Sequence, residues 1–339
     1  MREQFGIIGL GACGSNIANL FESKGYNSLY INTSQEDLNS FKGTHKLHIK
    51  GAEGAAKDRR RVLQLATETF PEIIQQIDSI ISQKYIIVIF SSSGGTGSGL
   101  SIPILKYLSQ IGKVCISVVV IPNGEVESVK ANENAYNAIA ELMSIQNLGA
   151  TFLLDNSKYD KFAINSKFVN EFDVFISLKN SSMYGNIDIA ERKQVLSCPG
   201  IAVIAKTSKN KSTSADIVQA LHNGIYADIE QKSAMYLAIS TSNKSLDIKS
   251  ITSEFTSLYD QFIGYSESTS IMIASGLQFP MKRIENFKNK FEETVQNINN
   301  TINQQPPTIQ PLQSLSFARE ELKSTTPVNP RDILLSLLG

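Results

Sequence analysis

Cysteine is scarce in this chain: Cys13, Cys115 and Cys198 stand far apart among 339 residues. An odd, dispersed set provides neither a disulfide framework nor the paired spacing of a zinc knuckle. The thiols therefore read as reduced and the location as intracellular. Net charge is absent too, since 32 basic residues balance 32 acidic ones. A chain without excess charge has no global electrostatic footprint for DNA, RNA or an anionic membrane, although a local patch or a partner can supply such contact. No apolar run reaches the roughly 20 residues that cross a bilayer. Residues 1–5 lead straight into a short apolar strand and carry no signal-peptide pattern. The expectation is a cytoplasmic protein with no membrane and no direct nucleic-acid contact. No internal repeat is visible. Apolar residues make up 42% of the chain, enough for a core in one large or two modest domains.

What is present is an alternation of strand and helix signals. Residues 5–10, 28–31, 85–90, 114–121 and 151–154 are short apolar runs, the pattern of strands covered on both faces. Helical stretches separate them at 17–23, 57–83 (with a break expected near Pro71), 100–110 and 127–146. The alternation predicts an α/β fold with a Rossmann-like, mostly parallel, doubly wound sheet. Residues 165–178 place Phe168, Val169, Phe172, Phe175 and Ile176 at helical spacing and are expected to run into a second domain. Further signals at 201–205, 215–226, 236–240, 270–274 and 282–299 suggest a smaller α+β domain. The expected division is a nucleotide-binding domain over 1–164, a central helix and connection over 165–185, an α+β domain over 186–302 and a flexible tail over 303–339. That tail is rich in Gln, Pro, Thr and Ser. It ends with Ile333, Leu334, Leu337 and Leu338 on one helical face behind Pro330, a shape that suits a partner groove or folds back on the body.

Two glycine loops follow strands in the first part. Gly9, Gly11 and Gly14 form G-x-G-x-x-G ahead of a helix. Alone, this serves a dinucleotide fold, another phosphate site or a plain turn. A dinucleotide fold also wants an acid at the end of the second strand to hold the ribose. Asn32 and Thr33 stand there instead, which weakens an oxidoreductase reading. A P-loop would need Gly-Lys-Ser/Thr at the right spacing, and none follows. The second loop, Gly94-Gly95-Thr96-Gly97-Ser98-Gly99, lies between a buried strand and a helix. Glycines let backbone approach an anion closely, and amides at a helix N-terminus face phosphates with the helix dipole behind them. Thr96 and Ser98 add hydroxyl donors. Two such loops on adjacent strand ends enclose a di- or triphosphate without a lysine.

Residues 93–99 resemble the G-G-G-T-G-[ST]-G signature of the tubulin/FtsZ superfamily, with Ser93 in place of its first glycine. The resemblance runs from residue 5 to about residue 300, and the short chain and its Ile/Lys/Asn/Ser-rich composition are closest in character to the phage and plasmid tubulins. It implies GTP or GDP with Mg²⁺ in a site assembled from successive loops. The first supplies Gly11, Ala12, Cys13, Ser15 and Asn16, and the second Asn32 and Thr33. A third, γ-phosphate-sensing loop at 51–57 supplies Gly54 and Ala55, and the signature loop Gly94, Gly95, Thr96, Gly97 and Ser98. Glu127 is implied for the ribose, with Glu125 the alternative, Asn156 for sugar and base, and Asn165 for guanine. The resemblance also implies a catalytic N-x-D-x-x-[DE] loop at Asn186, Asp188 and Glu191, although Gly185 adjoins the asparagine where the family glycine lies three residues before it. In that family geometry the carboxylates reach the nucleotide of the next subunit in a head-to-tail homopolymer. Three apart on a starting helix, Asp188 and Glu191 share a face; an ordinary acidic helix cap is the plain alternative.

The expected function is a polymerising cytoskeletal GTPase that positions plasmid or phage DNA, with a DNA-bound adaptor held by the tail. A division GTPase, a dinucleotide-binding oxidoreductase and a non-hydrolysing structural relative are the alternatives. His45 and His48 lack a third metal ligand of matching type. Residues 57–61 read as the wet side of a helix, although they can touch phosphate or a subunit face. His222 is isolated and has no role. Cys13, inside the first loop, is a candidate for sensitivity to thiol reagents.

Overall fold

Seven parallel strands form the larger part of the sheet in the computed structural model, which describes residues 1–51, 53–179, 182–207, 211–266 and 269–303. They are β1 (Phe5–Leu10), β2 (Asn27–Asn32), β3 (His45–His48), β4 (Tyr85–Ser91), β5 (Val114–Ile121), β6 (Ala150–Asp155) and β7 (Gly200–Lys206), in the order β3-β2-β1-β4-β5-β6-β7. The sheet continues through β8 (Ser233–Thr241), β9 (Ser257–Tyr265) and β10 (Ile271–Leu277) to ten strands. There β10 lies antiparallel between β7 and β8, and β9 closes the edge parallel to β8. The expected tail and its apolar end peptide lie outside the described residues.

The helices are α1 (Gly11–Glu22), α2 (Gln35–Asn39), α3 (Arg59–Ile80), α4 (Thr96–Gln110), α5 (Val129–Met143), α6 (Lys161–Ile176), α7 (Ile189–Ser197), α8 (Ser214–His222), α9 (Ile248–Thr252) and α10 (Met281–Asn303). Met1–Gln296 forms one compact unit. The central strands are apolar along their whole length because helices cover both faces. Packing there is close: a Cβ on Gly14 would stand 2.2 Å from Ile89 O, so α1 lies nearly against the sheet backbone. On the same side, Phe21, Phe152, Phe168 and Phe172 meet with ring centroids 5.3–6.2 Å apart and seat α6.

Several expectations need correction. Helix α3 runs unbroken through Pro71, which lies on the exposed side where water satisfies the carbonyl that the missing N–H leaves free. Helices α1 and α4 begin at Gly11 and Thr96, earlier than the apolar spacing suggests, because the glycine loops wind directly into first helical turns. Helix α6 opens at Lys161 under an Asp160 cap, so Asn165 sits in its second turn. The sequence reading missed the five-residue helices α2 and α9 and the edge strands β3 and β9, whose exposed sides break the apolar run that marks a buried strand. Among the described residues, no helix is long and apolar enough to cross a membrane.

Candidate functional site

Strands β1, β2 and β4 are neighbours and parallel, so the loops at their carboxyl ends open side by side. This is where open α/β sheets place their ligands. A cleft of about 280 Å³ lies there, lined by residues 10–13, Asn32, Ser34, Asp37, residues 54–57, Ser91 and residues 94–97. Gly11 adopts φ +67°, a left-handed turn into α1, and its missing Cβ would meet Gly97 N at 3.3 Å. The two glycine loops therefore abut.

The helix ends at this cleft differ from the others. Helices α2, α3 and α5 to α9 each begin under a side-chain cap from Ser, Thr or Asp. Helices α1 and α4 follow Leu10 and Gly95, with no side-chain cap. Their first-turn amides are thus not taken up by a cap, and they sit where α1 and α4 enter the cleft. In α1, Ser15 Oγ is buried without a hydrogen-bond partner, and so is Asn156 Oδ1 beyond the end of β6, which native proteins rarely tolerate unless a ligand or water completes the site.

Long-range bonds hold the loops in place. Thr33 and Thr96 hydroxyls meet at 2.7 Å. Asn134 of α5 donates to Lys57 O at 2.9 Å and to Ser93 O at 3.2 Å. Arg59 Nε donates to Ser98 O at 3.0 Å while its guanidinium forks onto Glu141. The run 57–61 is therefore not simply the wet side of a helix: Arg59 is buried, and Lys57 lines the cleft and pairs with Glu127 at 3.2 Å.

Of the residues singled out in the sequence, Gly11, Ala12, Cys13, Asn32, Gly54, Ala55, Gly94, Gly95, Thr96 and Gly97 line this one cleft. Thr33 and Ser98 are buried beneath it, and the Ser98 hydroxyl donates back to Gly94 O. Asn16 faces solvent on α1. Glu127 joins Lys57, whereas Glu125 joins Lys290 of α10. Asn156 follows β6, where Asp155 accepts a fork from Arg283 of α10 at 3.1 and 3.0 Å. Asn165 is buried in α6 and, like Asn156, does not line the phosphate cleft.

The acidic loop lies elsewhere. Helix α6 has 16 residues, about 24 Å at 1.5 Å per residue, and it leads away from the cleft edge toward the start of α7. There Asp188 caps α7 in a reciprocal box: Glu191 N donates to Asp188 Oδ1, and Asp188 N to Glu191 Oε2, both at 2.8 Å. Asn186 bonds both the N–H and the C=O of Ser182. Arg192 is buried and ties α7 to Ile176 O at the end of α6. Met183, Tyr184 and Ile189 beside this loop are exposed.

Comparison with known proteins decides the family. Residues 4–164 match the GTPase domain of the tubulin/FtsZ family. The chain is 30% identical over 292 residues to the tubulin-like protein TubZ of Clostridium botulinum C phage, spanning 84% of this chain and 78% of that relative. The protein belongs to the tubulin/FtsZ family. The crystal structure of Clostridium botulinum phage c-st TubZ superposes with a TM-score of 0.79 at 26% identity, covering 88% of this chain and 100% of that one. A GTPγS-form protofilament of Bacillus thuringiensis serovar israelensis TubZ shares the fold, with a TM-score of 0.77 at 18% identity over 89% of this chain and 95% of that one. As a tubulin/FtsZ-type cytoskeletal GTPase the chain binds GTP and GDP, and the oxidoreductase alternative falls away.

Cys13 of this tubulin/FtsZ site is partly buried, and burial pushes its thiol up to about 12 against a smaller lowering by Lys161, which disfavours the thiolate that thiol reagents need. His45 and His48 lie on the edge strand β3, and no group of three metal-ligating side chains occurs among the described residues. Sequence reasoning missed Asp37, Asn134, Arg59 and Arg283. Only Asp37 left a local trace, as the third residue after the helix cap Ser34.

Proposed function

We propose that the protein assembles head to tail in the cytoplasm and that each GTP is hydrolysed where two subunits meet. One observation supports this reading: Lys161 at the start of α6 acts on Cys13 of the cleft, whereas Ile176 at its end is held by Arg192 of α7, so the cleft and the acidic loop lie toward opposite ends of α6. In a stacked pair, the loop of one subunit would face the cleft of the next. Asp188 or Glu191 would there polarise a water against the γ-phosphate, a task worth roughly 10²–10⁴-fold in rate. Each carboxylate spends one oxygen on the capping box and keeps the other for this purpose. The first-turn amides of α1 and α4 would stabilise charge on the transferring phosphoryl group. Glu127 would hold the ribose, and Asn156 and Asn165 the sugar and guanine. When bound, Mg²⁺ supplies neutralising charge on the β- and γ-phosphate oxygens. It would be held chiefly by those oxygens, with Asp37 the acid that lines the cleft. In this reading residues 1–164 bind nucleotide, 165–185 connect, and 186–302 carry the acidic loop to the neighbour.

The same reading extends to cargo. Similarity to a phage-borne TubZ supports positioning of phage or plasmid DNA through a DNA-bound adaptor engaged by residues 330–339. Removing those ten residues is expected to leave polymerisation intact and abolish adaptor binding; failure to polymerise would assign the segment to the filament. The split site has its own test. Phosphate release per subunit, measured against protein concentration alongside electron microscopy with GTP and Mg²⁺, is expected to rise steeply as filaments appear. A specific activity unchanged by dilution would sink it.

A further inference from the structure

Residues 122–127 form an irregular loop between β5 and α5, and helix α10 lies along it. Arg283 Nη2 donates to Pro122 O at 3.0 Å. Phe287 is fully buried, and its ring stands 3.3 Å from where a Cβ on Gly124 would be. Lys290 pairs with Glu125. Residues 283, 287 and 290 share one face of a helix, and they meet Pro122, Gly124 and Glu125 in the same order. From the other side, Asn132 of α5 donates to Gly124 O at 3.2 Å, so the loop is held between two helices.

The same guanidinium reaches a second segment. Arg283 forks onto Asp155 at the end of β6, a carboxylate that is itself buried. Asn156 follows at once, with its Oδ1 buried and unpartnered. Glu230 accepts from the backbone N–H groups of Lys282 and Arg283 at 2.9 and 3.3 Å, which fixes the start of α10. The Arg283 guanidinium lies 5.0 Å from the centre of the Phe287 ring, so the two side chains steady each other. One helix face thus sets the separation of two segments that are distant in the chain. A loop with no ladder of its own loses entropy when a ligand orders it, and a brace that orders it beforehand removes that cost.

We propose that Arg283 and Phe287 are positioning residues for the sugar of the bound nucleotide: they hold the loop that carries Glu127 and the segment that carries Asn156 at one separation, so that both meet the same ribose. Lys290 adds a weaker tie at the surface. This inference rests on Glu127 and Asn156 being the residues that hold the sugar.

Calorimetric titration of the full chain, kept below its assembly concentration, with GDP and with dideoxy-GDP, which lacks both sugar hydroxyls, tests both layers. The wild type is expected to bind GDP about tenfold more tightly, the size of one charge-assisted hydrogen bond. Phe287→Leu and Arg283→Lys should weaken GDP about tenfold and leave the dideoxy nucleotide within about twofold, so that the preference collapses. Gly124→Ala perturbs the loop without altering α10 and should do the same, because its Cβ would crowd Asn132 Oδ1 at 3.2 Å as well as Phe287. Should a variant of α10 fail to fold, Gly124→Ala decides alone. Lys288→Gln, which removes an exposed α10 lysine paired with Glu292, should change neither nucleotide. Equal losses for both nucleotides, or variants that keep the wild-type preference, would overturn the positioning role. A wild type that binds the two nucleotides equally would overturn the ribose assignment, and the role of α10 with it.

Discussion

At the carboxyl ends of β1, β2 and β4, two helices start without side-chain caps and one buried oxygen, Ser15 Oγ of α1, lacks a partner. Beyond the other end of α6, the acidic loop closes on itself: Asp188 and Glu191 cap one helix together, and Asn186 bonds the backbone of Ser182. The first region holds open polar valence that a ligand would complete. The second is complete without one, and it surrounds its carboxylates with the exposed side chains of Met183, Tyr184 and Ile189. Satisfied polar groups beside exposed apolar ones suit the proposed contact of this loop with a neighbouring subunit.

The largest test of this contrast removes charge from the acidic loop while keeping its cap. Asparagine caps helices as well as aspartate, so Asp188→Asn should leave thermal unfolding within about 1 kcal/mol. Turnover in assembled protein should still fall by about 100-fold or more. Normal phosphate release would reduce the loop to the structural cap it visibly is. Glu191→Gln gives the companion measurement.

The next test asks how firmly the open region is braced. Arg283 of α10 forks onto Asp155 and donates to Pro122 O at 3.0 Å. Arg283→Ala leaves a buried carboxylate with one fewer partner and should cost about 3 kcal/mol in denaturant unfolding. An unchanged midpoint would mean that α10 braces nothing.

A smaller test separates ligand space from packing space. A Cβ on Gly94 would meet nothing within 4 Å, although Gly94 lines the cleft. Gly94→Ala should keep stability within about 0.5 kcal/mol. It should weaken guanine-nucleotide binding about tenfold, the scale of a modest overpacking penalty. Unaltered binding would place the phosphates away from that loop.

A last test concerns the helix that joins the two regions. Burial raises the Glu171 carboxyl of α6 from 4.5 to about 7, against smaller lowering by Lys167 and Lys206, and the Tyr226 hydroxyl is buried nearby. The folded state therefore holds this proton more tightly than the unfolded chain. The contribution is full below about pH 4.5 and is lost as pH rises toward 7. Glu171→Gln should abolish that slope, so its advantage in Tm over the wild type should be greatest above pH 7 and vanish near pH 4.5. Parallel Tm curves from pH 5 to 8 would show that Glu171 does not titrate in this range.

The glycine loops were legible because the clue is local: a continuous apolar strand such as 85–90 pins whatever follows it, and only glycines with small hydroxyls fit a phosphate there. The acidic triplet was legible as spacing alone, and its alternative reading as a helix cap proved structurally real. The remainder was hidden by distance along the chain. Arg59 reaches Ser98 and Glu141 across 39 and 82 residues, and Asn134 reaches Ser93 across 41. No periodicity marks such bonds, so a charged run that is half buried looks like any wet helix face.

Where strands end in glycine, and hence which backbone amides can meet an anion, is written in neighbours a few residues apart along the chain. That Lys57 lines the cleft and that the acids stand beyond the far end of α6 depends on the folded arrangement. Both follow from how a parallel sheet stacks its crossovers, bringing residues from α3, α5 and α10 to one edge and carrying α7 toward the other.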